Sequence, residues 1–511
     1  MTKCADSGGA VDKRQDQGWA IRSALAVAVA FAGLCSAAPV ERPNIVFMIA
    51  DDLGYGDLGC YGQQKIRTPN IDRLAAEGLR FTQAYSGHNV CAPSRCVLMT
   101  GKHPGHAYIR DNRQAKGYPE GQEPVPAGAL TLPLALKARG YVLGGFGKWG
   151  LGPFGSSGDP LKQGFDRWFG YNCQAVAHNY YPTYLWDDGK QVPLDNPKFA
   201  AHQKLPAGAD PNDPASYAAY AGKEYAPDRI AEQARAFVRA NKDRPFFLYF
   251  PTTVPHLALQ VPEDSLREYA GTFTEQPYPG GRSYLPHRQP RAAYAAMVSR
   301  LDREVGRLVA LVKELGLDER TVFVFTSDNG PLYEKLGGTD ADFFNSAGGL
   351  RGRKGAYYEG GFRVPQIVRW AGHVAAGTTD RVTGFEDWLP TLVELTGAAA
   401  PAGIDGISFA PTLAGRPQEP RPFLYRESPG YGGQQCVRVG NWKAVRVNLN
   451  PPAAAKARTP GKLELYDLTK DPGETTDVAA AQPEVVARLS AILAAQHVKS
   501  ELWPIPALDG K

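Results

Sequence analysis

Residues 44–50 read Asn-Ile-Val-Phe-Met-Ile-Ala and run directly into Asp51 and Asp52. The run is apolar throughout, rich in β-branched residues, and shows no alternation of apolar with polar side chains. A strand of this kind is buried on both faces, as in a parallel sheet. FFLYF (246–250) and TVFVF (321–325) read the same way. Helical patterns lie between these runs. Residues 70–77 form one, with Gly78 expected at its C′ stop. Another spans 291–315, with Met297, Leu301, Val305, Leu308 and Leu315 on one face and Gly316 ending it. Strands alternating with helices predict an α/β fold: a large mixed, mostly parallel sheet flanked by helices. The composition changes after residue 415. Residues 423–425, 435–439, 443–447 and 462–466 read as short antiparallel strands, and 483–496 as a helix with Pro483 at its start. These predict a smaller C-terminal subdomain of antiparallel sheet plus helix over 415–511, behind a main domain over 43–414. Residues 451–460 are a low-complexity loop.

The 511 residues exceed one small domain. At 43% hydrophobic and 21% charged, the chain has ample material for a large core. The net charge of +5 is close to neutral for this length, and no Lys/Arg run or basic aromatic stripe appears, so nothing argues for nucleic acid. Lys13, Arg14 and Arg22 precede an apolar run over 24–34 and the small residues Ser36, Ala37 and Ala38. That order is a secretory signal peptide over 1–37, too short to be a stable membrane span, and implies a periplasmic or secreted protein. Of seven cysteines, Cys60, Cys91, Cys96, Cys173 and Cys436 would remain; none forms a CxxC pair, which argues against zinc, and their pairing stays open.

Two acidic clusters occupy equivalent places. Asp51 and Asp52 follow the first strand, and Asp328 and Asn329 follow the strand that begins at Thr321. Ligands of open α/β sheets bind beyond the carboxyl ends of strands, so both clusters can meet at one edge. Three carboxylates and an amide oxygen suit a hard divalent cation, Ca²⁺ or Mg²⁺. Taken singly, each pair is also an ordinary turn after a strand. Cys91-Ala92-Pro93-Ser94-Arg95 precedes a helix-like run. A Cys there sits at the positive end of a helix dipole, which binds anions and activates nucleophiles. A buried structural Cys fits the same segment, whereas the usual surroundings of a Cys-protease nucleophile are absent.

Residues 91–95 resemble the C-x-P-S-R element of the type I (formylglycine-dependent) sulfatases, of the alkaline-phosphatase-like superfamily. The resemblance extends in family order over nearly the whole mature chain: PNIVFMIADDLGYGDLGCYG (43–62), TPNIDRLAAEGLRFTQAY (68–85), GKWGLG (147–152), VPHLALQVP (254–262), TSDNG (326–330), RGRKGAYYEGGFRVP (351–365) and LYDLTKDPGETTDVA (465–479). It implies a sulfuric ester hydrolase whose Cys91 is converted to formylglycine (3-oxoalanine) by a maturation enzyme. By resemblance, Asp51, Asp52, Asp328 and Asn329 bind Ca²⁺ together with residue 91. Arg95 holds the formylglycine, and Lys148, His256 and Lys354 contact the sulfate ester. One hydroxyl of the hydrated aldehyde then attacks sulfur, Lys354 or His256 protonates the departing alcohol, and the second hydroxyl drives sulfate out.

The sequence departs from the family at Gly150, where GKWHLG is usual. His106 and His178 are the candidates for the missing imidazole. Loops 105–125, 153–225 and 260–290, with Tyr108, Arg110, Tyr180, Tyr181, Tyr184 and Trp186, are expected to rim the pocket. His106, Arg110 and His178 are thus expected substrate contacts, and a sulfated small molecule or glycan the expected substrate. Two rivals stay open: a phosphate or phosphonate monoester hydrolase of the same fold, and a non-catalytic sulfatase-like binding protein. The intact Cys91, Arg95, Lys148, His256, Lys354 and acidic set argues against the second; only Gly150 speaks for it.

Overall fold

A computed structural model describes residues 42–281, 283–333, 335–450 and 461–510. The signal-peptide reading over 1–37 and the low-complexity loop 451–460 lie outside these residues. The first strand, β1 (Asn44–Ala50), sits at the centre of the main sheet. The other strands of that sheet are β2 (Leu79–Tyr85), β3 (Val142–Lys148), β4 (Arg167–Tyr171), β5 (Tyr184–Asp187), β6 (Lys190–Pro193), β7 (Phe246–Pro251), β8 (Thr321–Ser327), β9 (Arg363–Arg369), β10 (Gly377–Thr379) and β11 (Thr383–Gly384). Their order is β10-β2-β9-β8-β1-β7-β3-β4-β5-β6, with β11 also on β2. The centre, β8-β1-β7-β3-β4, is parallel; β9 runs antiparallel to both β8 and β2, and β5 and β6 are antiparallel at one edge. The sheet is therefore mixed and mostly parallel.

The absence of alternation in β1 has a direct cause. Val46, Met48 and Ala50 belong to the apolar layer on one face, and Ile45, Phe47 and Ile49 to the layer on the other. Phe246, Leu248 and Phe250 divide from Phe247 and Tyr249 in the same way on β7, as do Phe323 and Phe325 from Val322 and Val324 on β8. The first layer includes residues of α1 (Pro69–Ala76), α3 (Ala226–Ala240) and α4 (Pro290–Glu314); the second includes α2 (Cys91–Thr100). Burying each large aliphatic or aromatic side chain contributes about 1.5–3 kcal/mol. Gly316 is left-handed (φ 69°) after α4, as expected of a helix stop. Gly78 corrects its expectation. It is not left-handed, and a Cβ there would meet the Val368 carbonyl oxygen at 2.5 Å; it lets α1 close tightly on β9.

The second sheet is antiparallel: β12 (Leu424–Ser428), β13 (Gln434–Val439), β14 (Trp442–Val447) and β15 (Glu464–Asp467). Leu489 and Leu493 of α5 (Pro483–Gln496) cover one face, over Tyr425, Val437, Ala444 and Leu465. The other face, Leu424, Cys436, Val445 and Tyr466, packs on Tyr85, Tyr357 and Phe362. No helix among the described residues is long and apolar enough to cross a membrane.

Candidate active site

Four adjacent parallel strands end at one place. In the order β8, β1, β7, β3 their carboxyl ends carry Asp328 and Asn329, Asp51 and Asp52, the loop with His256, and Lys148. Helix α2 adds Cys91, its first residue, and Arg95 one turn later on the same face. Lys354 comes from the connection between β8 and β9. Its loop is tied to the residues before Cys91 by the Gly355 N–H on the Asn89 carbonyl, 2.8 Å.

These side chains interlock. Asp51 Oδ1 is 3.4 Å from the Cys91 Sγ, while its Oδ2 accepts from Lys148 Nζ at 2.6 Å and from Arg95 at 3.4 Å. Arg95 also donates to Asp328 Oδ2 from Nε (3.1 Å) and Nη2 (2.9 Å), and to the Lys148 carbonyl. Lys354 Nζ lies 2.7 Å from Asp52 Oδ1 and 3.3 Å from Cys91 Sγ. His256 Nδ1 donates to the Leu257 carbonyl at 2.6 Å. Its Nε2 is then the bare nitrogen, and it faces Asp52 Oδ2 at 3.5 Å. Asn329 Nδ2 donates to Asp52 Oδ1 at 2.6 Å. Asp52 adopts φ 64°, a left-handed conformation that Asp tolerates better than most residues.

Electrostatics follow from burial. Asp51, Asp52 and Asp328 are fully buried. Burial by itself would raise Asp51, but Lys148, His256, Arg95 and Lys354 hold it well below the usual carboxylate range. Asp328 is pushed up to about 7 by burial and by Asp51, and Asp52 is raised by burial and Asp51 against the pull of Lys354. Burial, Lys354 and Lys148 push His256 far down, so it is neutral. Lys354 is raised, because Asp52, Cys91 and Asp51 outweigh its own burial. The Cys91 thiol is raised by burial and then by Asp51. The dipole argument would lower it, and it loses. Burial and Asp51 thus favour the protonated thiol over the nucleophilic thiolate.

The residues fit a hard divalent cation. Asp51, Asp52, Cys91 and His256 offer ligand atoms within 4.8 Å of one another. Asn329 Oδ1 is buried and has no partner among the described residues, as a ligand oxygen awaiting a cation would be.

A model of the sulfatase family matches residues 43–398, and one described as N-sulphoglucosamine sulphohydrolase, C-terminal, matches 353–499. The chain belongs to the sulfatase family. It is 36% identical to human arylsulfatase A over 502 residues, covering 92% of this chain and 90% of that protein. It is 32% identical to the N-acetylgalactosamine-6-sulfatase of Canis lupus familiaris, covering 95% and 91%. The crystal structure of Ps i-CgsB, 28% identical, superposes with a TM-score of 0.71 over 92% of this chain and 96% of its own, and that protein is also solved in complex with k-i-k-neocarrahexaose. The protein is accordingly an enzyme, a sulfatase, acting on sulfate esters.

In this sulfatase the structure gathers Asp51, Asp52, Cys91, Arg95, Lys148, His256, Asp328, Asn329 and Lys354. His178 joins them, its ring stacked on His256 at 5.0 Å and 14°. Arg110 and His106 do not join them. Arg110 is 4% exposed and donates to Glu427 (2.7 Å) and to the carbonyls of Val498, Gly105 and Ala107. A buried guanidinium needs that many acceptors. It fastens the 105–110 loop to β12. His106 Nδ1 is held by both oxygens of Asp405, at 2.9 and 3.0 Å. Tyr180 anchors rather than rims: it is fully buried, and its hydroxyl lies on the carbonyls of Thr253 and His256. Tyr184 and Trp186 both hold Glu120.

Gln174 escapes sequence reasoning altogether. It is 6% exposed, and neither amide atom has a partner among the described residues. A Cβ on Gly150 would stand 2.0 Å from its Nε2, and Gly150 itself has φ 90°. The glycine and the amide occupy one space. The only hint in the sequence is that a side chain is missing at 150. Gly150→Ala is expected to cost about 1–3 kcal/mol through backbone strain alone and to lower kcat/KM by displacing Gln174. Urea unfolding with steady-state kinetics checks this; an unchanged midpoint and rate would show that the two groups do not compete.

Proposed function

We propose that this sulfatase releases inorganic sulfate from a sulfated carbohydrate, through formylglycine made at Cys91 and with Ca²⁺ (or Mg²⁺) held by Asp51, Asp52, Asp328, Asn329 and residue 91. The observation that carries the reading is the position of Cys91. It is the first residue of a helix and touches Asp51 and Lys354, and its burial favours the protonated thiol over the thiolate. A maturation enzyme, using an external two-electron oxidant, would break the Cβ–S bond, release the sulfur and leave an aldehyde in place of the thiol; hydrated, the aldehyde supplies one hydroxyl to attack sulfur and a second whose deprotonation expels sulfate and restores the aldehyde. The bound cation would supply compensation for negative charge at the carboxylate cluster.

The chain's own groups do the rest. Lys148 and Lys354 meet the anionic oxygens of the ester, where fixed cations stabilise developing charge. Arg95, braced by Asp328 and Asp51, orients residue 91. Burial, Lys354 and Lys148 together hold His256 neutral, against the opposing pull of Asp51. An arriving anion offsets the push of the two lysines, so His256 can hold the proton that the departing alcohol takes. A periplasmic or secreted location agrees with the signal-like residues 1–37, and the carbohydrate preference with relatives named for sulfated sugars.

The test is the mass of tryptic peptide 81–95, from protein made in a host that carries the maturation enzyme. An aldehyde or its hydrate at residue 91, with sulfate release from sugar sulfates exceeding hydrolysis of a phosphonate ester, is expected. An intact thiol in active enzyme overturns the formylglycine reading.

A further inference from the structure

His178 and His202 form a chain whose protons are dictated by the backbone. The N–H of Tyr284 donates to His202 Nδ1 at 3.0 Å. A backbone N–H can only donate, and the Ser283 hydroxyl, 3.1 Å from the same nitrogen, can donate to it as well, so that nitrogen is bare and neutral His202 carries its proton on Nε2. His202 Nε2 lies 3.2 Å from His178 Nδ1. It must donate there, so His178 Nδ1 is bare as well and the His178 proton sits on Nε2. Protonating His178 on Nδ1 as well would set two N–H groups head to head across that 3.2 Å contact. His178 is therefore a neutral donor. Its Nε2 lies across the ring from His202 and makes no hydrogen bond to a described residue.

The surroundings hold this arrangement beside the centre. The His178 ring stacks on His256, and its edge meets Tyr284 at 5.1 Å. The Ala258 N–H, from the loop of His256, donates to the His178 carbonyl at 3.3 Å. Tyr284 adopts φ 63°, a conformation rare for an aromatic residue and costing about 1–3 kcal/mol; with it, the Tyr284 N–H meets His202. Charged groups nearby already suit the ester's anion: Lys148 and Lys354 are cationic. A neutral N–H donor beside them suits an uncharged oxygen, one that a sugar carries and a simple aryl group lacks.

We propose that His178 is a substrate-contact residue of this sulfatase that donates from Nε2 to a hydroxyl or ether oxygen of the sugar bearing the sulfate, and that His202 is a positioning residue which fixes that tautomer. The inference rests on the sulfated-carbohydrate reading above. The chain reaches the site from a loop residue, His202, that lies 24 positions from His178 and 82 from Tyr284.

The test uses the full-length matured enzyme with three probes: galactose 6-sulfate, N-acetylgalactosamine 6-sulfate and 4-nitrophenyl sulfate. His202→Phe keeps a ring against Tyr284 and removes the donor. The ratio of kcat/KM for the better sugar sulfate to that for 4-nitrophenyl sulfate is expected to fall about fivefold to tenfold, the size of one neutral hydrogen bond. His202→Gln restores an N–H donor and is expected to recover most of the ratio. In ¹⁵N-histidine spectra of the wild type, His178 is expected with Nε2 protonated and Nδ1 bare, and His202→Phe to lose that single state. An equal loss on both substrate types, a ratio unmoved by His202→Phe, or a wild-type His178 protonated on Nδ1 overturns the proposal. Turnover of the aryl ester with no turnover of either sugar overturns the carbohydrate reading beneath it, while the spectra still report on the tautomer separately.

Discussion

Cys91→Ala is expected to abolish multiple turnover of sulfate esters, a loss of roughly 10⁴–10⁶-fold in kcat, the scale seen when a nucleophile is removed. Cys91→Ser is the more informative variant. A serine there retains one hydroxyl for attack, but once sulfated it has no second hydroxyl on the same carbon to drive sulfate out. It is expected to release at most one equivalent of alcohol per enzyme and then stop. Quantifying the alcohol in a rapid-quench experiment checks this. Sustained turnover by either variant would remove residue 91 from the chemistry. Folding is not at risk: the helix starting at Cys91 has its next residues buried independently of the thiol, so the melting temperature of Cys91→Ala is expected to stay near that of the wild type.

Asp51→Asn has the second large effect, because Asp51 is the hub of the cluster. One oxygen faces Cys91 and the other accepts from Lys148 and Arg95. Its loss leaves the buried Lys148 ammonium without its carboxylate, a defect of about 3–5 kcal/mol in comparable buried pairs. Relief of Asp52 and Asp328, both raised by the charge of Asp51, offsets part of that cost. The decisive readout is therefore the cation. Chelated wild-type enzyme is expected to gain about 2.7 kcal/mol of stability in Ca²⁺ at a hundredfold excess over Kd, read as a rise in Tm. Asp51→Asn is expected to lose most of that rise, together with at least about 10³-fold in kcat/KM, the scale of a missing electrostatic element. A variant that keeps both the calcium response and the rate would take Asp51 out of the cation site.

The comparison of sequence with structure turns on what is local. Apolar runs without alternation announced β1, β7 and β8 as strands buried on both faces, and the two layers that enclose them show why. The acidic pairs after two of these strands were legible because a parallel sheet gathers its carboxyl ends on one edge. The resemblance to sulfatases named Cys91, Arg95, Lys148, His256 and Lys354, and the fold brings all five together. Arg110 is paired with Glu427, 317 positions away. No local pattern distinguishes an arginine aimed at a ligand from one that closes a long-range buried pair. His106 is held in the same way by Asp405. Gln174 was invisible because an unpartnered amide is a property of its surroundings alone.

The α/β class and the strand ends followed by acidic pairs are legible in the sequence, because periodicity and composition are written within a few neighbouring residues. The family, and the departure from its usual motif at Gly150, are legible through the resemblance of short motifs. The folded molecule alone shows how the charges at the site are paired, that His178 stacks on His256 while His106 lies on Asp405, that Arg110 is tied to Glu427, and that Gly150 yields its space to Gln174. Those depend on burial and on partners far apart in the chain, and neither exists until the sheet has brought the strand ends together.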